Sequence, residues 1–221
     1  MTGRVKRPSG LRAEQAAHTR ARILDAAREV FQRCGYAGAR IEDIAGHAGV
    51  AVPTVYKGFL NKRTLLIGAV ERATTGADYG ADVQEQDWWQ EQLHEPDPVR
   101  QLHLIARNAR RIYDRAAPVL EVLHAAAPLD PDIAAAWTDF ATQRHNRSHR
   151  SATELLTKAS GRARLDQQET AVTLLALTRP ELYTEQLGLG RTPDQYQNWL
   201  ADILTAGLLH PDDAAPPRSE A

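Results

Sequence analysis

Cysteine is almost absent from this sequence. The single cysteine among 221 residues is Cys34, and a lone thiol forms neither an internal disulfide nor a multi-thiolate metal site. The basic residues Arg4, Lys6 and Arg7 are not followed by the apolar segment of a signal peptide. We therefore expect a cytoplasmic protein in which Cys34 fills a gap beside the core of the N-terminal helices.

Long hydrophobic runs are also missing. No apolar stretch approaches the roughly 20 residues that a helix needs to cross a bilayer, so no membrane partner is expected. Glycine and proline, at 14 and 12 residues, are near average usage, which excludes a collagen-like or low-complexity chain. With 43% hydrophobic and 25% charged residues, the composition predicts one or two packed domains.

A large net charge is lacking, yet the charges are unevenly distributed. The formal net charge is −1. Residues 1–72 hold 13 Lys and Arg against 6 Asp and Glu, a net charge of +7, whereas residues 73–221 hold 14 against 22, a net charge of −8. A basic segment on an acidic remainder suggests a nucleic-acid-binding module joined to a body with another task. The alternative is a charge distribution without functional meaning.

Strand-like alternation of apolar and polar residues is absent, and nearly every segment shows the apolar period of a helix. N-cap residues mark the starts of the later helices, at Asn61, Asp97, Asp130, Asp166 and Thr192. The sequence therefore predicts an all-α fold with about nine or ten helices. Residues 84–98 are too polar and too weakly periodic for a regular helix and are predicted to form a loop or a frayed helix.

The segment from Ile41 to Phe59 has the spacing of a helix-turn-helix, with Gly49 at the tight turn. Apolar residues of both short helices can form a small core, which leaves a polar outer face on the second helix. That face can enter the major groove of double-stranded DNA. The candidate DNA-binding residues are Arg40, Val52, Pro53, Thr54, Tyr56, Lys57 and Lys62.

These side chains suit different parts of a DNA duplex. Pro53 and Thr54 offer apolar contacts, and Tyr56 can donate its hydroxyl to a phosphate. Lys57 can meet guanine or a phosphate oxygen. Lys62 begins the next helix, where helix-terminal N–H groups and a positive side chain together favour phosphate.

A set of short motifs in a fixed order gives this region a family resemblance. They are Gly35-Tyr36, Ile41-Glu-Asp-Ile-Ala45, Ala48-Gly49-Val50, Thr54-Val-Tyr56, Phe59, Asn61-Lys62 and Leu65. Together they resemble the DNA-binding region of the TetR family of transcriptional repressors. A looser resemblance, to the C-terminal region of actinobacterial-type members, is carried by residues 177–183 and 193–202.

Three positions depart from the family pattern. Arg40 stands where the family usually has Ser or Thr, so the cap of that helix is expected to be lost, although arginine can make a bidentate phosphate contact. Ala51 replaces the customary Ser at the start of the recognition helix, and a second cap is lost. Gly58 replaces the usual His or Tyr, which removes a phosphate contact.

The resemblance implies four segments and a dimer. We predict a flexible basic arm over residues 1–10, a three-helix helix-turn-helix DNA-binding domain over 11–62, a helical effector-binding and dimerisation domain over 63–210, and a disordered tail over 211–221. TetR-like proteins pair through their last two long helices. The candidate interface residues are Val172, Leu175, Tyr196, Trp199, Leu200, Ile203 and Leu204; taken alone, the same stripes are equally consistent with internal core.

Aromatic and polar residues of the acidic part are candidates for a small-molecule effector pocket, because the family senses small molecules. They are Trp88, Trp89, His103, Arg107, Tyr113, His124, Trp137 and Phe140. His103 and Arg107 lie one helical turn apart and can form a polar rim. The alternative for each aromatic residue is ordinary core packing.

Chemistry of other kinds has little support in the sequence. His145 and His149 share a helix face and could ligate zinc, but no third ligand lies nearby, so we predict a solvated face and no metal or cofactor. No nucleophile or phosphate-loop motif is present, so no enzyme activity is expected. The predicted function is a dimeric repressor that binds a palindromic operator and is released by a small-molecule effector. A helical enzyme or ligand carrier, an effector-independent DNA-binding protein, and an activator remain as alternatives.

Overall fold

The computed structural model describes residues 9–76 and 83–211. Residues 1–8 of the predicted arm and 212–221 of the predicted tail lie outside the described residues. The N-terminal region contains four helices, α1 (Ser9–Gly38), α2 (Ile41–Ala48), α3 (Val52–Gly58) and α4 (Lys62–Thr75). Helix α1 thus begins inside the predicted arm.

Six helices form the rest of the protein. They are α5 (Asp87–His94), α6 (Pro98–Ala126), α7 (Pro131–Lys158), α8 (Gln167–Leu177), α9 (Pro180–Gly188) and α10 (Pro193–Leu208). Short 3-10 turns cover Val83–Glu85 and Ala127–Leu129. Across the described residues there are ten α-helices and no β-strand beyond one isolated bridge, which confirms the all-α prediction. Within the same ranges, no helix combines the length and the apolar character required to cross a bilayer.

The predicted helix starts are confirmed by their cap geometry. Asn61, Asp166 and Thr192 each accept a hydrogen bond from the backbone N–H three residues on and complete reciprocal capping boxes. Asp97 and Asp130 cap α6 and α7, each followed by a proline in the first turn, where the missing N–H would have no helical partner.

The prediction of a loop or frayed helix over residues 84–98 is wrong for its central part. Helix α5 occupies that segment, and Trp89 and Leu93 are 3% and 2% exposed. Polar bonds hold it as well: the Gln92 side chain donates to Ser151 Oγ at 3.1 Å and accepts from Asn108 Nδ2 at 3.0 Å. A search for apolar periodicity misses such a helix, because the buried Gln92 that helps to anchor it is polar.

Helix α6 is the centre of the core and contacts α1, α4, α5, α7, α9 and α10. Leu102, Leu120 and Leu123 on it are fully buried. Because α1 and α4 pack directly on α6, one continuous core joins the basic N-terminal helices to the acidic body. Cys34 does not contribute to that core: it is exposed on the outer face of α1, which corrects the expectation that it fills a gap.

Arg115 of α6 fastens the C-terminal end of α4. Its Nε donates to the Ala73 carbonyl at 3.2 Å, and its own carbonyl accepts from Arg28 Nη1 at 3.4 Å. Gly76 ends α4 with φ +73°, and a Cβ there would lie 3.1 Å from Arg115 Nη2. A glycine therefore suits this position both for its backbone conformation and for the close approach of the guanidinium.

Candidate DNA-binding surface and body cavity

The turn between α2 and α3 is closed around Gly49. Its φ of +64° lies in the left-handed region, and its N–H and that of Val50 bond to carbonyls at the end of α2. The Arg22 guanidinium donates to the Ala48 carbonyl from α1. The backbone conformation therefore favours glycine, and a Cβ at this position would lie 2.9 Å from Arg22 Nη2, so the guanidinium would have to shift.

Helix α3 is anchored by Val55, with Val52 packed at the edge of the core, and presents most of its other side chains outward. Val55 is fully buried, whereas Tyr56 is 49% exposed and Lys57 is exposed. Pro53 is exposed as well, and Val52 and Thr54 are half-buried. The predicted groove-facing side chains therefore share the outer surface of one short helix, with Val52 and Thr54 at its edge.

A basic side chain that the sequence analysis did not single out fixes the far end of α3. Arg20 Nη1 donates to the Gly58 carbonyl at 2.9 Å, and its guanidinium carbon lies 4.2 Å from the centre of the Phe59 ring. A cation at a helix C-terminus complements the unpaired carbonyls there. In the sequence, Arg20 and Arg22 look like residues of the solvent-exposed face of α1, so no local pattern predicts these contacts.

The two helix starts that the sequence predicted to be uncapped are indeed uncapped. Neither Arg40 before α2 nor Ala51 before α3 provides a side-chain hydrogen bond to its helix. The Arg40 side chain is 71% exposed and its Nε lies 3.5 Å from a Glu42 carboxylate oxygen. This exposure leaves the guanidinium accessible to a phosphate, beside the unpaired N–H groups of α2.

Lys62 lies at the start of α4, and its amino group is partly used within the protein. Nζ donates to the carbonyls of Ala37 and Ala39 at 3.2 and 3.1 Å, and lies 4.8 Å from the centre of the Tyr36 ring. An ammonium group has three donors. Lys62 therefore ties the end of α1 to α4, and these two contacts use two of its three donors.

A cavity of about 420 Å³ lies between α4, α5, α6 and α7, a volume in the range of ligand-binding pockets. Its lining residues are Glu71, Thr74, Thr75, Val83, Gln84, Trp89, Ile112, Tyr113, Phe140, Gln143, Asn146, Arg147 and Arg150. A smaller adjoining cavity of about 80 Å³ shares Trp89 and Tyr113 and adds Trp88. Four of the residues proposed from the sequence for an effector pocket, Trp88, Trp89, Tyr113 and Phe140, are thus brought together.

The remaining residues proposed for that pocket lie elsewhere. His103 is exposed on α6, and Arg107 Nη2 is paired with a Glu91 carboxylate oxygen at 2.6 Å. Trp137 is half-buried and stacks on the ring of His124, with ring centres 4.4 Å apart. None of these four lines either cavity, although the Trp137 ring lies 5.7 Å from that of Phe140, which does.

Polar atoms in the cavity differ in how well they are satisfied. The Tyr113 hydroxyl donates to the Thr178 carbonyl at 2.5 Å, and burial raises its pKa. Among the described residues, Glu71 Oε2 and Trp89 Nε1 are buried without a hydrogen-bond partner. Desolvation raises the pKa of Glu71, and the charge of Arg20 opposes that rise. Nothing in the sequence marks Glu71, because its importance comes only from the cavity it faces.

The outer side of α8 and α10 carries only part of the candidate dimer interface. Val172 and Ile203 are 50% and 41% exposed, and Leu175 and Trp199 are half-buried. Tyr196, Leu200 and Leu204 are fully buried inside the protomer, since α10 packs along α6. The stripe on α10 therefore serves the core on one side and presents apolar surface on the other.

The histidine pair considered for zinc lies on one helix. The rings of His145 and His149 lie 4.5 Å apart on α7. Within residues 9–76 and 83–211, no group of three or more potential metal-ligating side chains comes together.

Comparison with known proteins agrees with this geometry. Residues 23–69 match the profile of the family described as bacterial regulatory proteins, tetR family. No curated protein matches the chain significantly. Similar solved structures include a transcriptional regulator of Saccharomonospora viridis in complex with choline (21% identity, TM-score 0.65, covering 88% of this chain and 99% of that one). A TetR-family regulator from Rhodococcus sp. is similar too (19%, 0.61, 85% and 97%).

A third similar structure is that of NalD, the secondary repressor of the MexAB-OprM multidrug efflux pump in Pseudomonas aeruginosa. It is 20% identical, with a TM-score of 0.64, and the match covers 89% of this chain and 98% of that one. At such identities these structures establish the fold. The profile match covers α2 and α3, the second half of α1 and the first half of α4. Residues 23–69, with the helix-turn-helix of α2 and α3, therefore match the tetR family of bacterial regulatory proteins, and the chain has the fold of these solved structures.

Proposed function

We propose that the protein is a homodimeric repressor that binds a palindromic DNA operator in the cytoplasm and releases it when a small molecule occupies the cavity between α4 and α7. One observation carries the proposal: α4 is shared by both sites. Its first residue, Lys62, lies beside the recognition unit, and its last turns place Glu71, Thr74 and Thr75 in the cavity wall. No catalytic step is assigned to the protein.

The DNA-binding part of the proposal rests on the outer surface of α3 and the adjoining helix starts. Pro53, Tyr56 and Lys57 would face the major groove, with Val52 and Thr54 at its edge. Arg40 and the remaining donor of Lys62 would contact phosphates. We assign residues 11–62 to this DNA-binding domain and 63–210 to the effector-binding and dimerisation domain.

The dimer is supported by the exposed apolar side chains Val172 and Ile203 on neighbouring helices, which a second copy would cover. Two recognition helices reach successive major grooves when they are roughly 34–36 Å apart or somewhat more. A ligand causes release only if it binds better to a conformation with a different separation. A similar protein holding choline and another that acts as a repressor are in keeping with both halves of the proposal.

The test is selection of bound sequences from random double-stranded DNA by the full chain. Enrichment of a palindrome with half-sites about one helical turn apart would support a dimeric operator-binding protein. Enrichment of a single half-site, or of no sequence, would contradict it. The occupancy of the selected operator, measured against a library of small molecules, then decides between an effector-controlled and an effector-independent DNA-binding protein.

A further inference from the structure

The polar groups that line the 420 Å³ cavity differ in whether they have hydrogen-bond partners. The groups without a partner indicate the charge of a ligand. Arg150 Nη1 donates to Gln84 Oε1 at 2.7 Å, and Arg147 also has interactions of its own. Among the described residues, the lining atoms left buried without a hydrogen bond are Glu71 Oε2 and Trp89 Nε1. The first is an acceptor that carries negative charge when ionised, and the second is a donor.

We propose that the cavity binds a small organic cation, with its ammonium group against Glu71 and a hydrogen-bond acceptor against the indole N–H of Trp89. The ligand class is thus an amine or quaternary ammonium compound that also carries an ester, carbonyl, ether or hydroxyl oxygen. This inference rests on the proposed effector-binding function and adds the chemistry of the effector.

The charge of Arg20 acts on the Glu71 carboxylate, but no group bonds the buried Oε2 atom, and a carboxylate oxygen removed from water is costly without a partner. A ligand cation supplies that partner in the bound state. The aromatic side chains Trp89, Tyr113 and Phe140 line the same cavity, and faces of aromatic rings attract ammonium groups. A buried indole N–H without an acceptor favours a ligand oxygen for the same reason.

The position of Glu71 also gives the cation a direct effect on the DNA-binding domain. Glu71 is the acidic residue of the cavity lining and lies on α4, whereas the two lining arginines lie on α7. Because α4 is a single helix from Lys62 to Thr75, a force on the carboxylate acts on the helix that holds the end of α1. Pairing of Glu71 with a ligand therefore couples to the placement of α3.

Benzoylcholine and its neutral isostere 3,3-dimethylbutyl benzoate test the inference, since they share an ester and differ in one charged atom. Dissociation constants for the full chain are measured by calorimetry, without DNA. We expect the cation to bind at least about tenfold more tightly than the isostere. In Glu71→Gln the preference should fall to about onefold to twofold, whereas Arg150→Gln should keep it.

Trp89→Phe examines the second contact and keeps the ring. It should weaken both esters by a similar factor, and Trp88→Phe, the matched change next to it, should not. Thermal midpoints establish that each variant is folded. Equal affinity for the two esters, an unchanged preference in Glu71→Gln, or no binding of benzoylcholine at millimolar concentration would overturn the inference.

Tighter binding of an anionic analogue, 4-phenylbutyrate, that depends on Arg150 would also overturn it. These measurements use no DNA, so they separate the inference from the proposed function. A failed operator selection with a normal charge preference would reject the repressor and keep the cation site. A successful operator selection without the charge preference would reject only the ligand class.

Discussion

Arg63 and Asp130 join the start of α4 to the start of α7. Arg63 Nη1 lies 3.2 Å from Asp130 Oδ2, and Arg63 Nη2 lies 2.9 Å from an oxygen of the neighbouring Asp132. Asp130 is at the same time the N-cap of α7, where it accepts the N–H groups of Asp132 and Ile133. One carboxylate therefore holds together the helix that leaves the DNA-binding domain and the helix that carries much of the cavity wall.

The charge of Asp130 should stabilise the fold at neutral pH. Desolvation opposes ionisation, but hydrogen bonds from the Asp132 N–H, Arg63 and the Ile133 N–H outweigh it and lower the pKa of Asp130. A carboxyl group whose pKa is lowered by folding stabilises the protein above its unfolded pKa of about 4. This contribution is lost as the pH falls through the folded pKa. Asp130→Asn keeps the cap and should lower Tm at pH 7, with a difference that shrinks below about pH 4.

The control for this comparison is Asp139→Asn, an exposed carboxylate on the same helix, which should change Tm little at any pH. Thermal unfolding across pH 3 to 8 (roughly the range of carboxyl titration) provides the measurement. If Asp130→Asn has the same Tm as the wild type at pH 7, the ion pair between Arg63 and Asp130 does not stabilise the packing of α7.

Lys62 and Lys57 should differ in what they do for DNA affinity. Lys62→Ala removes the two carbonyl contacts as well as a phosphate donor, so it should lower Tm, weaken operator and random DNA alike, and flatten the salt slope by about one unit. Lys57→Ala should leave Tm unchanged, because the side chain is exposed, and should alter the ranking of operator variants. Fluorescence anisotropy over a salt series measures both.

An unchanged salt slope for Lys62→Ala would restrict that residue to its contacts with the end of α1. Equal loss on every operator for Lys57→Ala would make it a phosphate contact instead of a base contact.

Gly46 and Gly49 offer a matched test of the turn, because they lie three residues apart at the end of α2. Gly49→Ala forces a Cβ onto a left-handed backbone and against Arg22, and should destabilise the protein by about 1–2 kcal/mol. Gly46→Ala lies in regular helix with no heavy atom within 4 Å of the added Cβ, and should stabilise by about 0.5–1 kcal/mol. Denaturant unfolding measures the free energy of unfolding of both variants. An unchanged stability of Gly49→Ala would contradict the role of Gly49 in the turn.

The outer faces of α8 and α10 should hold the dimer. Introducing a charge with Val172→Asp or Ile203→Asp should produce monomers that keep a normal fold, because both side chains are exposed in the protomer. Leu189→Asp is the control, since Leu189 is 80% exposed but follows α9. Leu200→Ala should instead cost about 2–5 kcal/mol of stability, as a buried residue does.

Analytical ultracentrifugation at several concentrations distinguishes these outcomes. If both aspartate variants remain dimeric, the dimer must use another surface.

The affinity for a quaternary ammonium ligand should depend on pH through Glu71. The pKa of Glu71 is raised by desolvation, so its carboxylate is lost on acidification earlier than an exposed glutamate would be. Charged groups near it, on α1 and α7, are Arg20, Arg147 and Arg150. Tyr113, whose pKa is raised, stays neutral.

Benzoylcholine has no titrating group, so its dissociation constant should increase as the pH falls from about 7.5 towards 5. In Glu71→Gln the same titration should be flat. A pH dependence that survives in Glu71→Gln would assign it to another group.

The helix starts and the recognition helix could be predicted from the sequence because both depend on local chemistry. Asn61 caps its own helix, and the ordered motifs from Gly35 to Leu65 mark a unit that folds locally. The cavity could not be predicted, because its members meet through tertiary packing. Trp137 and Phe140 look equivalent in sequence and their ring centres lie 5.7 Å apart on α7, yet only Phe140 lines the cavity.

Tertiary packing also determines which side of α10 is buried. Its apolar stripe predicts a helix with buried contacts but not which partner covers each residue. Packing on α6 buries Leu200, and Ile203 is left at the surface. Roles for the exposed residues of α3 and for the dimer surface stay predictions until DNA and a second protomer are measured.

The hydrogen bonds of the buried Gln92 side-chain amide fix the position of α5 along its neighbours. A helix docked only through aliphatic side chains can slide or rotate slightly at small cost, because such contacts are not directional. Gln92 is bonded on both sides, to Ser151 of α7 and Asn108 of α6, and a shift by one residue would leave buried amides unpaired. The indole of Trp89 is therefore held at one depth and one orientation, and the shape of the cavity wall it forms is determined by hydrogen bonds made three residues away.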